Sequence, residues 1–481
     1  MSISRLASPN RAARGILGTI HDAASMRVVQ PLLRVSRLAR PSQRAAMLAF
    51  NRGMRFRTGT MRWPAEQKRD WILRQLRHAV RRAARETPYY RDQFVALGFD
   101  PVAEFDFRDF ARLPVLERGD VHRAGPSLRT TVLSADQVRK DATGGSTGAP
   151  TEIWTGPEER GWRESGSEYY MHRVGLPSGT RIGLLWGHHL DPVQRRGVRD
   201  WLHDWADNVR WFDCLRLSPD MLEGYHRELQ QWRPHGVVAY ASALAALAEQ
   251  VHRPALQPSY PSRCFVTGAE KLMPHERSII EQTFHKPVHE RYGSRDVGLI
   301  AFQTNPGSAL DFEVDWCNVL VEPETEGPDS PILVTKLHAD AMPMLRYRIG
   351  DIGRFPEGSG PGQPALTLQD ILGRTADRIW LPNGRWAHGL GFPHLMKDYP
   401  VREFQVVQRR DFSVEVRVVP RGPLTDASRE GILQLMRANL VGLPVSLLVV
   451  DDIPKTRANK RRPVISELES QPDGAGRDLL S

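Results

Sequence analysis

The sequence predicts an α/β protein in two parts: a large N-terminal domain of mixed sheets with packed helices, and a small C-terminal α+β domain. Three observations carry this. Short apolar runs at 181–186, 209–213, 236–239, 264–267 and 288–292 each precede a turn or helix signal, the alternation of an α/β sheet. After Gly373 the pattern changes to runs at 404–408 and 414–419, a helical stretch over 426–438 and a run at 445–450, a unit of about 100 residues. The 481-residue chain is 40% hydrophobic and 25% charged, which excludes disorder throughout and a fibrous repeat.

The elements follow in order. Over 63–84 the apolar positions Trp71, Ile72, Leu76, Ala79 and Ala83 recur at helical spacing, and Thr87-Pro88 ends the helix. A short helix over 106–113 stops at Pro114. Residues 138–141 and 151–154 read as strands flanking a loop over 143–150, and 159–174 reads as a helix. Segments 318–321 and 331–337 look like two further antiparallel strands. The boundaries are a basic N-terminal arm at 1–60, a large domain at 61–373 and a small domain at 374–481.

Charge is unevenly placed. The net charge is +10, yet residues 1–60 hold eleven Arg, no Lys and one acid, Asp22, so the whole excess sits there. The neutral body argues against nucleic-acid binding. The arm reads as an amphipathic helix on an anionic membrane or a partner, as an acid-poor organellar transit peptide, or as a solvated arm. Only eight of the 66 basic residues are Lys, so a retained Lys hints that a compact ammonium is needed there. Three widely spaced cysteines, Cys214, Cys264 and Cys317, form neither a disulfide framework nor a zinc pattern. With no apolar stretch of about 18 residues, the expectation is a cytoplasmic protein, with peripheral membrane contact through the arm as an option.

The most informative string is Thr143-Gly144-Gly145-Ser146-Thr147-Gly148-Ala149-Pro150. Its glycines let the backbone approach an anion, and its hydroxyls and amides can donate to phosphate oxygens. No Lys follows the last Gly and a strand follows the loop, so it is not a Walker A loop. Taken alone, such a string is more often a plain turn than a phosphate site.

Five further strings follow in order: Val266 to Glu270, Arg291 to Gly298, Pro331 to Asp351, Ile371 to Asp377, and Pro454 to Lys460. Together the six resemble the motifs of adenylate-forming enzymes, the acyl-CoA synthetase superfamily. The nearest branch is the phenylacetate–CoA ligase-like group with its capsule-biosynthesis relatives, and the resemblance covers about 63–465. It implies the adenylate-forming ligase fold and ATP-dependent activation of a carboxylic acid to an acyl-adenylate, followed by transfer to CoA. A non-CoA acceptor (amine, sugar or carrier protein) and a non-catalytic scaffold on this fold are the alternatives.

The resemblance also implies roles. Thr143, Gly144, Gly145, Ser146, Thr147 and Gly148 would hold the ATP phosphates. Gly268, Ala269 and Glu270 would form the adenine-contacting turn, with Tyr292, Gly293 and Ser294 beside it. Asp296 would hold Mg²⁺, Asp351 the ribose hydroxyls, and Arg374 ribose or phosphate, unless it forms a structural ion pair. Lys460 would bridge the carboxylate and α-phosphate oxygens. His188, Tyr240, Ala241 and Ser242 would line the acyl pocket; helix-start packing, with Ser242 as a cap, is the other reading of the last three. Three positions depart from the family pattern: Asp296 stands for Glu, Ala376 for the first hinge Asp, and Asn459 for the Gly before the catalytic Lys.

Overall fold

The computed structural model describes residues 41–143, 151–186, 208–214, 217–252, 258–305, 311–374, 378–381, 386–388, 396, 399–440, 442–453 and 464–468. Its first elements are α1 (Pro41–Thr60), α2 (Ala65–Glu86), α3 (Pro88–Leu97), α4 (Phe107–Phe110) and α5 (Arg118–Ala124). Of the basic N-terminal segment, residues 41–60 thus fold as a helix. The reason it joins the body is α6 (Pro157–Arg173). The two helices meet so closely that a Cβ on Gly161 would lie 2.3 Å from the Ala46 carbonyl oxygen.

Close approach delivers Arg57 into the interior. Its Nε and Nη2 donate to Asp315 Oδ1 and Oδ2 at 3.0 and 2.8 Å, and its Nη1 donates to Ser165 Oγ at 2.7 Å. Burial alone would lower this guanidinium's pKa, but the Asp315 carboxylate outweighs it and keeps the group charged. The guanidinium lies over the Trp162 ring, which belongs to an aromatic cluster with Phe56, Trp63, Trp71 and Trp316, where Phe56 stacks on Trp71 at 4.6 Å.

Two antiparallel strands, β1 (Arg139–Thr143) and β2 (Thr151–Thr155), form a hairpin closed by the Thr143–Thr151 pair. The main sheet takes β3 (Ile182–Leu185), β4 (Val209–Phe212), β5 (Gly236–Tyr240), β6 (Cys264–Gly268), β7 (Val288–Ser294), β8 (Gly298–Phe302) and β9 (Phe312–Val314). A second sheet takes β10 (Val319–Pro323), β11 (Asp329–Lys336), β12 (Tyr347–Arg354) and β14 (Asp370–Arg374), while β13 (Thr367–Leu368) returns to the edge of the main one. The main-sheet order is β13-β9-β8-β7-β6-β5-β3-β4 and the second is β10-β11-β12-β14. Strands β3 to β7 run parallel; β8, β9 and β13 are antiparallel. Helices α7 (Pro219–Trp232), α8 (Ala241–Val251) and α9 (Pro274–Phe284) connect the parallel strands. Both β5 and β6 are buried along their whole length, as strands covered on both faces must be.

Between Arg374 and Arg378 the chain leaves the second sheet for β15 (Arg378–Trp380), paired with β16 (Trp386–His388). Beyond lie β17 (Val401–Gln408), β18 (Val414–Pro420), α10 (Asp426–Asn439), β19 (Val445–Val449) and β20 (Val464–Ser466). This unit has its own core, with Val406, Val416, Val418, Ile432, Met436 and Val464 buried together. The predicted strands and helices therefore form, with α1, α3, α5, the β8–β9 edge, β12 to β16 and β20 added. No helix among the described residues is long and apolar enough to cross a membrane.

Replacing Arg57 with Met should destabilise the protein by about 3–5 kcal/mol, because it strands a buried carboxylate. Urea unfolding measures this; a loss below about 1 kcal/mol would show that the Arg57–Asp315 pair is not what holds α1 in place.

Candidate active site

Three of the sequence motifs meet at one edge of the main sheet. Tyr240, Gly268 and Ser294 end the parallel strands β5, β6 and β7, and Tyr240 pairs directly with Gly268. In open parallel sheets the crevice beyond the carboxyl ends of the strands is where ligands bind, since the loops there can diverge.

Each strand end is shaped by its residues. The Tyr240 ring is buried against Trp186, centroids 4.3 Å apart, which fixes one wall. Ala241 opens α8, and the next backbone amide, of Ser242, donates to Glu270 Oε2 at 3.1 Å. The helix start is thus served by an acid from the neighbouring turn, where negative charge suits the helix dipole. Tyr240 takes the N-cap position and Ser242 is the second residue of the helix, so Ser242 is not the cap residue. The other oxygen of Glu270, Oε1, is buried without a protein partner among the described residues. Between Gly268 and Glu270, Ala269 holds φ +66°, a left-handed conformation that a non-glycine residue adopts at a cost.

The turn after β7 needs its glycine. A Cβ on Gly293 would sit 2.3 Å from the Gly298 carbonyl oxygen, at a bulge where the β7–β8 register shifts. The bulge sends Tyr292 toward the second sheet, where its hydroxyl donates to Asp351 Oδ2 at 2.8 Å. Asp351 lies on β12 opposite Arg374 of β14. The structure therefore brings Tyr292, Asp351 and the Arg374 backbone together from three strands of two sheets.

Ser294 Oγ accepts from the Val297 amide at 3.2 Å, closing the turn that carries Asp296. Asp296 is buried, and its Oδ2 accepts from the Tyr347 hydroxyl at 2.8 Å. Arg163 of α6 donates to the Arg295 carbonyl at 3.1 Å, and Arg295 faces Asp141 of β1 at 3.7 Å. The Asp296 turn is in this way joined to the stem of the Gly/Ser/Thr loop, whose first residue, Thr143, ends β1. Gly144, Gly145, Ser146, Thr147, Gly148, His188, Ala376 and Lys460 lie outside the described residues.

Two lysines at the site were not singled out from the sequence. Lys336 Nζ is buried 2.9 Å from Glu159 Oε1. Burial pushes its pKa down and Glu159 opposes that; the nearby Asp296 carboxylate also favours the charged form. Lys271 follows the Gly268–Glu270 turn and donates to both carboxylate oxygens of Asp370. The scarcity of Lys in this chain was the signal that could have found both.

Among the described residues no group of three His, Cys, Asp or Glu side chains could hold a metal by itself. Asp296 nonetheless offers the hard oxygen donor that Mg²⁺ prefers, and one carboxylate suffices where phosphate oxygens complete the shell.

No protein-family model matches the chain. A phenylacetate–coenzyme A ligase of Thermus thermophilus is 24% identical over 441 residues, spanning 84% of this chain and 97% of the relative. Protein CapK of Staphylococcus aureus is 20% identical over 369 residues, spanning 74% and 80%. The solved 2-hydroxyisobutyryl-CoA ligase, in its postadenylation state with an acyl-AMP, shares the fold at a TM-score of 0.65 and 19% identity, over 85% of this chain and 91% of that one. Over most of its length the chain is similar to phenylacetate–CoA ligases and to CapK, and it shares the fold of the 2-hydroxyisobutyryl-CoA ligase.

One titration is readable beside the site. Glu290, on β7, has its pKa raised from the ordinary 4.5 to about 7 by burial, against the opposing Leu272 amide and the Arg277 and Lys271 charges. The folded protein thus keeps a proton that an unfolded glutamate has already lost. The sign follows: stability is greatest below about pH 4.5 for this group and falls as pH rises toward 7, by roughly 2–3 kcal/mol. Glu290→Gln should flatten that part of the melting-temperature profile between pH 5 and 7.5; parallel profiles for variant and wild type would refute the assignment.

Proposed function

We propose that the protein activates a carboxylic acid with ATP and passes the acyl group to the thiol of CoA. The observation that carries this reading is the convergence of the Gly268–Glu270 turn, the Tyr292–Asp296 segment and Asp351 at the carboxyl edge of the parallel strands. The turn at Ala269, exposed and held in a left-handed conformation, supports a contact to the adenine. Tyr292 packs beside it, and Asp351, oriented by the Tyr292 hydroxyl, accepts hydrogen bonds from the ribose hydroxyls. Ser146, Thr147 and the amides of their loop donate to the β- and γ-phosphates. His188 and the small residues Ala241 and Ser242, beside the Tyr240 ring, line the acyl pocket.

In the first step a carboxylate oxygen attacks the α-phosphorus. An O–P bond forms, the bond to the bridging oxygen breaks, and pyrophosphate leaves. Two anions meet, so positioning and charge neutralisation dominate the catalysis. Lys460 bridges the attacking oxygen and an α-phosphate oxygen. Asp296, braced by Tyr347, would hold Mg²⁺, which when bound neutralises phosphate charge. In the second step the CoA thiolate attacks the acyl carbon and AMP leaves. The small domain, carrying Lys460, turns between the two steps. The first forty residues supply a basic contact to an anionic surface.

ATP-dependent hydroxamate formation across a panel of acids, without and then with CoA, tests the whole reading; no acid giving hydroxamate at any concentration would overturn it. Lys460→Ala should slow adenylate formation by a few orders of magnitude, since an oriented charge on the transition state is worth roughly 3–4 kcal/mol. AMP affinity should hardly change. Asp296→Asn should lose Mg²⁺-dependent pyrophosphate exchange yet still bind AMP, and an unchanged Mg²⁺ dependence would remove Asp296 from that role.

A further inference from the structure

The strand that leads out of the large domain is fastened at both ends to residues of the nucleotide site. At its C-terminal end β14 pairs through Arg374 with Asp351 of β12. At its N-terminal end the fastening is Lys271, the residue directly after the Gly268–Glu270 turn. Lys271 Nζ donates to Asp370 Oδ1 and Oδ2 at 3.0 and 2.8 Å and to the Ile371 carbonyl at 3.0 Å. All three ammonium protons are therefore committed to two consecutive residues of β14. Asp370 Oδ1 also accepts from the Ile371 amide at 2.7 Å, so the carboxylate is fixed in the geometry the lysine needs.

The rest of the strand is less firmly set. Its pairing with β12 slips between Ile352 and Gly353, and Gly373 has φ +110°. A strand with a bulge and a left-handed glycine can change its exit direction with little loss of pairing. What sets that direction is then the position of its two ends, and both ends answer to nucleotide-contacting segments. Four residues beyond Arg374 the chain enters β15 of the small domain.

We propose that Lys271 is a positioning residue that transmits nucleotide occupancy of the Gly268–Glu270 turn to β14, and so to the crossover into the small domain. The inference rests on the adenylate-forming reading above. The chemistry explains the residue type. An ammonium with three donors can hold a carboxylate and a neighbouring carbonyl at once, in a partly buried site where each charge-assisted bond is strong. The pair spans 99 residues of sequence and joins the turn after β6 of the main sheet to β14 of the second sheet, so it is not a local structural bond.

The test uses the full chain and AMP. Hydrogen exchange of the backbone amides over 367–374 is followed with and without AMP, alongside AMP affinity by calorimetry. In the wild type AMP should slow exchange in this strand by about fivefold or more, a typical size for coupling between sites. Lys271→Met should abolish that protection while AMP affinity shifts by no more than about the same factor. Lys271→Arg should retain it in part, and the exchanged pair Lys271→Asp with Asp370→Lys should restore it. If Lys271→Met does not fold, Asp370→Asn breaks the same bridge with little change in shape. Kinetically, the bridge variants should keep pyrophosphate exchange and slow overall thioester formation. Full AMP protection of β14 in a folded bridge variant overturns the proposal and leaves the adenylation reading intact. A wild type that does not bind AMP overturns both.

Discussion

The bidentate contact between Arg57 and Asp315 organises the large part of this molecule. It joins the first described helix to the segment where the main sheet hands over to the second, with both side chains fully buried and the guanidinium over the Trp162 ring. A lone charge there would be untenable, so each partner requires the other. With α1 held, α6 is held, and α6 supplies Arg163 and Glu159 to the floor of the site. Asp340 completes the arrangement by accepting from the amides of Glu158 and Glu159 at the start of α6.

The site itself is an assembly of strand ends with little contact between neighbours in sequence. Tyr292 finds Asp351 across two sheets, Asp296 finds Tyr347, and Glu270 finds the start of α8. Each of these acids is held by a hydroxyl or an amide, which keeps it oriented. The neighbouring cations are arranged differently. Lys336 and Arg163 share Glu159 beneath the Asp296 turn, so positive charge lies under the acidic residue that the proposed metal would contact.

Much of this was legible in the sequence, for a physical reason. Turns at strand ends are written locally: Gly293 is demanded by a backbone contact five residues away, and Gly268 to Glu270 by one left-handed residue. Alternating apolar runs likewise announce buried strands wherever they occur. The rest is tertiary. Nothing local marks Arg57, one of eleven arginines in the first 60 residues, as the one destined for the interior. Charge counting therefore grouped residues 41–60 with the basic arm, whereas their glycine at 53 and the glycines of α6 fit them to the body. Ser242 as a helix cap was the locally reasonable expectation, and Glu270 supplies the bond from another loop instead. Lys271 and Lys336 were visible only as exceptions in an arginine-dominated chain.

The separation of Arg57 from its partner also sets a timetable for synthesis. The two residues stand 258 positions apart. At about 5–20 residues per second, the ribosome needs roughly 13–50 s to deliver Asp315 after Arg57 has emerged. During that interval α1 can present its guanidinium and its apolar side only to solvent or to a holding partner. The small unit, whose core lies within 379–464, faces no such delay and can close almost as soon as it is made. The two parts of the protein therefore mature on different clocks, and the vulnerable period belongs to the part that is translated first.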